Sequence, residues 1–205
     1  MEDFMIKKPY VRFFNADSLG RTMSFFMGDE ALAADLPFGA FSPFTEVPVG
    51  TDTFTVSCVN CDCAGKIMLT FGDSSVYTVA AVCIDDSVSL YGIREMFDQT
   101  NRSFAHLRVC NLSPDIINAD VFANNSQILG GVDYLEISRY IDMIPDTYNF
   151  TVRGCDSDKV LLNCGRQTVR SGKYNTLYFI GKVNSNPSVR CVFSVDAQGY
   201  DGEYL

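Results

Sequence analysis

The chain has 205 residues, 47% of them hydrophobic and 20% charged, with a formal net charge of −9. That length supports one or two domains, each large enough for its own core. The acidic balance repels phosphate backbones and no stripe of Lys or Arg offsets it, so no nucleic acid is expected as a partner.

No apolar run reaches about 18 residues, so no transmembrane segment is expected. The start, Met1 to Lys8, shows no apolar h-region. No signal peptide is expected in this chain, which leaves a cytoplasmic or a cell-envelope-associated protein open.

In chain order, Tyr10 to Asn15 reads as the first strand. Asp17-Ser18-Leu19-Gly20 follows as a turn, and Met23 to Met27 as a strand closed at Gly28-Asp29. Ala31 to Leu36 leads to Pro37-Phe38-Gly39, and Phe41 to Val47 is extended and aromatic. Pro48-Val49-Gly50 then feeds Thr53 to Cys58. There Phe54, Val56 and Cys58 face one way and Thr53, Thr55 and Ser57 the other, the period of two of a half-buried strand. Lys66 to Phe71, Val76 to Cys83 and Ser87 to Tyr91 complete about seven short strands.

The same series then returns. Thr51, Phe54, Thr55 and Val56 recur as Thr147, Phe150, Thr151 and Val152, 96 positions later. Leu107 to Asn111 matches Val11 to Asn15, Ala119 to Ala123 matches Met23 to Met27, and Ser138 falls on Ser42. The offset becomes 98 where Thr176 meets Thr78, so two residues enter in the hairpin between, where insertions belong. Val189, Cys191, Phe193 and Val195 alternate as a last strand. The stretch Gly92 to Ser103 separates the copies, and Ile93, Met96 and Phe97 in it suit one helical turn. The expected architecture is all-β, with two tandem Ig-like antiparallel β-sandwiches at residues 1–95 and 104–205.

The motifs now in hand resemble the bacterial domain of unknown function 4397 family. The first unit shows Leu36-Pro37-Phe38-Gly39, Pro48-Val49-Gly50-Thr51 and Tyr77-Thr78-Val79. The second shows Ser113-Pro114-Asp115, Asp120-Val121-Phe122 and Asp146-Thr147-Tyr148. The resemblance covers nearly the whole chain as two tandem copies. It implies an Ig-like sandwich, often at the bacterial surface, with no established activity. The family often has a His after its first strand, where this chain has Asn15 and Asn111.

Candidate chemistry is sparse. His106 is the single histidine, too little for a nucleophile–base–orienter set, so no catalytic residues, no enzyme and no cofactor are expected. Cys58, Cys61 and Cys63 are spaced to share a zinc or soft metal ion, with Cys83 as a fourth ligand; the alternative is a cysteine-rich hairpin tip. No cysteine maps onto another between the copies, so most of the eight are expected as thiols. Asp85-Asp86 and Asp156-Ser157-Asp158 carry calcium-type spacing but suit turns equally. Asn101, Asn111, Asn124 and Asn149 begin sequons, read as coincidence in a bacterial protein.

Phe38, Phe41, Phe44, Tyr134 and Tyr140 are the candidates for an exposed aromatic binding surface, against the alternative that they pack within each sandwich. Two functional classes remain. One is a non-catalytic binding or structural module near the cell envelope, with a protein partner or self-association as a twofold dimer. The other is a metal-binding protein or hydrolase using Cys58, Cys61 and Cys63.

Overall fold

The computed structural model describes residues 8–96, 101–155 and 159–196. The expectations for Asp156-Ser157-Asp158 and for Phe97 fall outside these residues. The chain divides into two compact units, Met1–Met96 and Phe97–Leu205. Among the described residues there is no helix.

The first unit has eight strands: β1 (Tyr10–Asn15), β2 (Met23–Met27), β3 (Glu30–Leu36), β4 (Thr45–Glu46), β5 (Gly50–Cys58), β6 (Ala64–Phe71), β7 (Val76–Ile84) and β8 (Ser87–Glu95). They form two four-stranded sheets in the orders β4-β1-β7-β8 and β3-β2-β5-β6. The second unit has β9 (Ala105–Asn111), β10 (Ala119–Ala123), β11 (Ser126–Val132), β12 (Ile141–Met143), β13 (Asp146–Gly154), β14 (Val160–Val169), β15 (Tyr174–Ile180) and β16 (Arg190–Val195). Its sheets run β12-β9-β15-β16 and β11-β10-β13-β14, the same wiring strand for strand.

The all-β, two-sandwich reading holds, with two differences in detail. One pairing in each unit is parallel, β1 with β7 and β9 with β15; the other strand pairings are antiparallel. The physical reason is the path of the chain. After β1 it crosses to build the second sheet before β7 returns beside β1, and parallel neighbours need such a long crossover. Nor does the junction begin at Gly92. β8 runs on to Glu95, with Ile93 and Glu95 buried, so the expected helical turn gives way to strand over residues 93–95.

Alternation sets the burial. On β5, Phe54, Val56 and Cys58 are buried while Thr51 and Thr53 are exposed. The bulge between β2 and β3 recurs between β10 and β11 at the matching steps. The β10–β11 turn is Asn124-Asn125 with φ of 47° and 70°, the two left-handed residues a tight antiparallel hairpin needs. At the position where the first unit has Gly39 at φ 80°, the second has Leu135 at φ 63°. The second copy thus keeps a left-handed turn in a residue that adopts it at a cost of about 1–2 kcal/mol.

The two cores fill one plan with different volumes. In the first, Phe13 and Phe25 stack with centroids 4.7 Å apart and Phe54 meets Phe71 edge-on at 5.7 Å. In the second, Val109, Val121 and Val169 stand where Phe13, Phe25 and Phe71 stood, while Phe179 and Leu177 replace Ala81 and Val79. Bulk lost from the strands equivalent to β1, β2 and β6 is regained on β15, which largely preserves packed volume.

Candidate functional site

Each unit buries an arginine in the middle of its first strand. Arg12 on β1 donates from Nε to Thr78 Oγ1 at 2.8 Å, and Thr78 Oγ1 donates to Glu95 Oε1 at 2.8 Å. Arg12 Nη2 lies 3.3 Å from Glu95 Oε1. In the second unit Arg108 Nε donates to Thr176 Oγ1 at 2.8 Å and Thr176 Oγ1 to Asp196 Oδ2 at 2.6 Å, with Arg108 Nη2 3.6 Å from that carboxylate. Arg12 on β1 is in register with Thr78 on the parallel neighbour β7, and Glu95 reaches them diagonally from the antiparallel β8; Arg108 on β9, Thr176 on β15 and Asp196, the residue after β16, repeat the arrangement. A buried charge needs its partner in place, and both carboxylates are nearly inaccessible, Glu95 at 4% and Asp196 at 0%.

The aromatic candidates are placed by these arginines. The Arg12 guanidinium carbon lies 4.6 Å from the Phe41 ring centroid and 4.8 Å from that of Phe44. Phe41 stacks on Phe14 at 4.0 Å. Tyr140, at the position of Phe44, sits 4.7 Å from the Arg108 guanidinium carbon, and its hydroxyl donates to Asp196 Oδ2 at 2.5 Å. Phe41, Phe44 and Tyr140, each half-buried, therefore cover the buried cation of their own unit, and such a ring face stabilises a desolvated cation. Phe38 and Tyr134 are half-buried. The sequence held a signal for these networks that strand patterning passed over: an arginine inside an apolar strand, returning at the repeat offset.

The asparagines at the family's His position are pegs. Asn15 Nδ2 donates to the carbonyls of Arg21 and Leu36 at 2.7 and 2.8 Å. Asn111 Nδ2 donates to those of Ile116 and Val132 at 2.7 and 3.3 Å. Their Oδ1 atoms accept from the backbone of Asp17 and Ser113, both at 3.1 Å. His106 is likewise held. Its Nδ1 lies 2.8 Å from Asp142 Oδ1, on the paired strand β12, and its ring stacks on Tyr174 at 4.1 Å.

The cysteines correct the expectation that most are thiols. Four of the eight are paired, Cys58 with Cys61 and Cys164 with Cys191, and Cys63, Cys83, Cys110 and Cys155 remain thiols. The repeat argument failed because each bond belongs to one unit and neither is inherited. Cys164 on β14 and Cys191 on β16 join the two sheets of the second unit across 27 residues. Cys58–Cys61 closes only the tip of the β5–β6 hairpin, with a separation of 3. By loop-closure entropy the first constrains the unfolded chain by about 3.5 kcal/mol and the second by about 2. Two of the three thiols of the suggested metal cluster are thus engaged with each other. Cys63 Sγ accepts a hydrogen bond from Arg21 Nη1 at 3.3 Å.

Arg21 is itself fixed by Asp17, through Nε to Oδ2 and Nη2 to Oδ1, both 2.8 Å. These bonds are the largest cause of an Arg21 pKa raised above its ordinary value. Burial pushes the Cys110 thiol well up, with Arg108 opposing and Asp196 adding to the shift.

Fold and geometry define a two-unit, all-β sandwich protein whose buried polar groups hold its own strands in register. Residues 105–200, which span β9 to β16, match the family described as Domain of unknown function (DUF4397). No curated protein matches the chain. Among solved structures, it is similar to a "putative cell adhesion protein" from Bacteroides ovatus at TM-score 0.28 and 8% identity, covering 92% of this chain and 96% of that one. A protein of the same description from Bacteroides uniformis gives TM-score 0.27 and 10% identity, covering 92% and 97%. One from Bacteroides eggerthii gives 0.20 and 8%, covering 92% and 95%. Likeness at this level assigns neither a fold nor an activity.

Proposed function

We propose that the protein is a non-catalytic tandem β-sandwich module that works by contact with a protein partner, either a second copy or another component of the bacterial cell envelope. The observation that carries this reading is the outward face of β5 and β6. Thr51, Thr53 and Thr55 stand there opposite Thr70, Met68 and Lys66. Met68, at 70% exposure, is the most exposed large hydrophobic residue among those described. Thr51 Oγ1 and Thr70 Oγ1 are 2.9 Å apart, and Thr147 and Thr168 repeat the pair at 2.8 Å. A threonine-rich sheet face with an exposed methionine at its centre suits protein contact better than enclosure of a small molecule. By contrast, Arg12, Glu95, Arg108, Asp196 and His106 are engaged with side chains of their own unit, which supports the absence of catalysis. The envelope setting is the one the family resemblance implies.

We read the first unit as a diverged second copy of the DUF4397 domain. Its support is the shared strand order and the repeated Arg–Thr–carboxylate row. Light scattering on the full chain and on a Thr53→Arg variant tests the partner reading. Self-association through this face gives a concentration-dependent dimer in the native chain, lost in the variant. A concentration-independent monomer removes self-association and leaves another envelope protein. Steady turnover of an ester, peptide or glycoside, abolished by a point substitution, overturns the non-catalytic reading.

A further inference from the structure

Cys58 has two neighbours of the right kind, and the structure bonds it to only one. Cys58 ends β5 and Cys63 immediately precedes β6. They lie one step beyond the Ser57–Ala64 ladder pair, and Cys58 N donates to Cys63 O at 2.9 Å. Cys58 and Cys63 therefore face each other across the hairpin, on the side that packs against the core of the unit. Directly opposed residues have Cα atoms about 4.5–5.5 Å apart, inside the span a disulfide bridges. The bonded partner Cys61 has its Cα 5.3 Å from that of Cys58. It sits on the exposed tip beside Asn60, which turns the chain at φ 61°. Cys63 is half-buried, and Arg21 Nη1, anchored by Asp17, points an N–H at its sulfur.

We propose that Cys58, Cys61 and Cys63 form a thiol–disulfide exchange site that moves a disulfide between the hairpin tip and the strand pair beneath it. The Cys63 thiolate attacks Sγ of Cys58. The Cys58–Cys63 bond forms as Cys58–Cys61 breaks, and the electron pair leaves on Cys61 Sγ; no external oxidant or reductant is consumed. The thiolate so released lies on the exposed tip. It attacks a disulfide-bearing molecule from solution, forming a mixed disulfide at Cys61 and expelling that molecule's other sulfur as a thiolate. The second unit builds the matching β13–β14 hairpin with Cys155 as its one nearby cysteine, a thiol. A half-buried attacking thiol, a shared central sulfur and an exposed leaving sulfur are the parts exchange requires.

The full-length chain tests this directly. It is incubated in mixtures of reduced and oxidised glutathione, quenched in acid, alkylated and cleaved on the N-terminal side of aspartate. Cleavage before Asp52, Asp62 and Asp73 places Cys58 and Cys61 on one fragment and Cys63 on the next. The expected result is two populations: a fragment 52–61 closed on itself, and fragments 52–61 and 62–72 cross-linked with glutathione on Cys61. In Cys63→Ser the cross-linked pair disappears and glutathione capture at Cys61 slows at least tenfold. In Cys61→Ser, oxidation joins Cys58 to Cys63. Circular dichroism and the intact Cys164–Cys191 pair report that each variant is folded. A closed 52–61 fragment alone at every glutathione ratio overturns the proposal. So does an unchanged capture rate in Cys63→Ser, or Cys58 and Cys63 left as thiols in Cys61→Ser.

Discussion

Arg12 and Arg108 occupy positions where an apolar side chain would be the simpler choice, and both units keep the arginine. Each is nearly inaccessible and faces a buried carboxylate through a threonine. Removing the cation leaves that carboxylate desolvated and uncompensated. Arg12→Met or Arg108→Met is therefore expected to lower stability by about 3–5 kcal/mol, read by urea unfolding. The double change Arg12→Met with Glu95→Leu should recover much of the loss, because no orphaned charge then remains. Cys110 gives a pH signature. Burial raises its folded-state pKa above the unfolded value of about 8.5. Its contribution is fully present below that value and is lost as the pH rises through the folded pKa, because the unfolded chain sheds the proton first. From about pH 8.5 upward stability should fall by as much as about 1.4 kcal/mol per pH unit on this account. Cys110→Ala should flatten that part of the curve in unfolding measured from pH 7 to 10.

At the scale of elements, the two units close the same seam differently. In the second, Cys164–Cys191 bonds β14 to β16 across the sandwich. In the first, β6 approaches β8 with glycines at the contact: a Cβ on Gly65 would lie 2.8 Å from Val88 O, and one on Gly92 3.0 Å from Leu69 Cδ2. One copy uses a covalent link and the other close backbone approach. Cys164→Ala with Cys191→Ala is expected to cost the second unit about 2–4 kcal/mol, seen as a lower midpoint in thermal unfolding of residues 97–205. The same double change should leave the transition of the first unit where it was.

Across the whole molecule, the two units carry separate cores, Phe-rich in one and aliphatic-rich in the other. Each has its own two sheets and its own buried ion pair. Chains ending at Met96 or beginning at Phe97 should therefore each fold, with a β-type circular dichroism spectrum and a cooperative transition. A first unit that stays unfolded by itself would show that it depends on the second for a part of its core.

Repetition and alternation in the sequence determined the sandwich class, the strands around Phe54 and Phe150, and the equivalence of Ser42 with Ser138. These are local patterns: a period of two decides which face of a strand is buried, and a constant offset aligns one copy on the other. The tertiary structure alone decided which strands become neighbours. The parallel pairs β1–β7 and β9–β15 join residues more than 60 positions apart, and no local pattern encodes a partner at that distance. The fate of Phe41, Phe44 and Tyr140 followed from that pairing, since only it brings Arg12 to Glu95 and Arg108 to Asp196 beneath their rings. The cysteines were decided in the same way. Spacing suggested a shared metal for Cys58, Cys61 and Cys63, but whether two sulfurs bond depends on where the hairpin and the facing sheet set their Cα atoms, which joined Cys58 to Cys61 and put Cys164 beside Cys191.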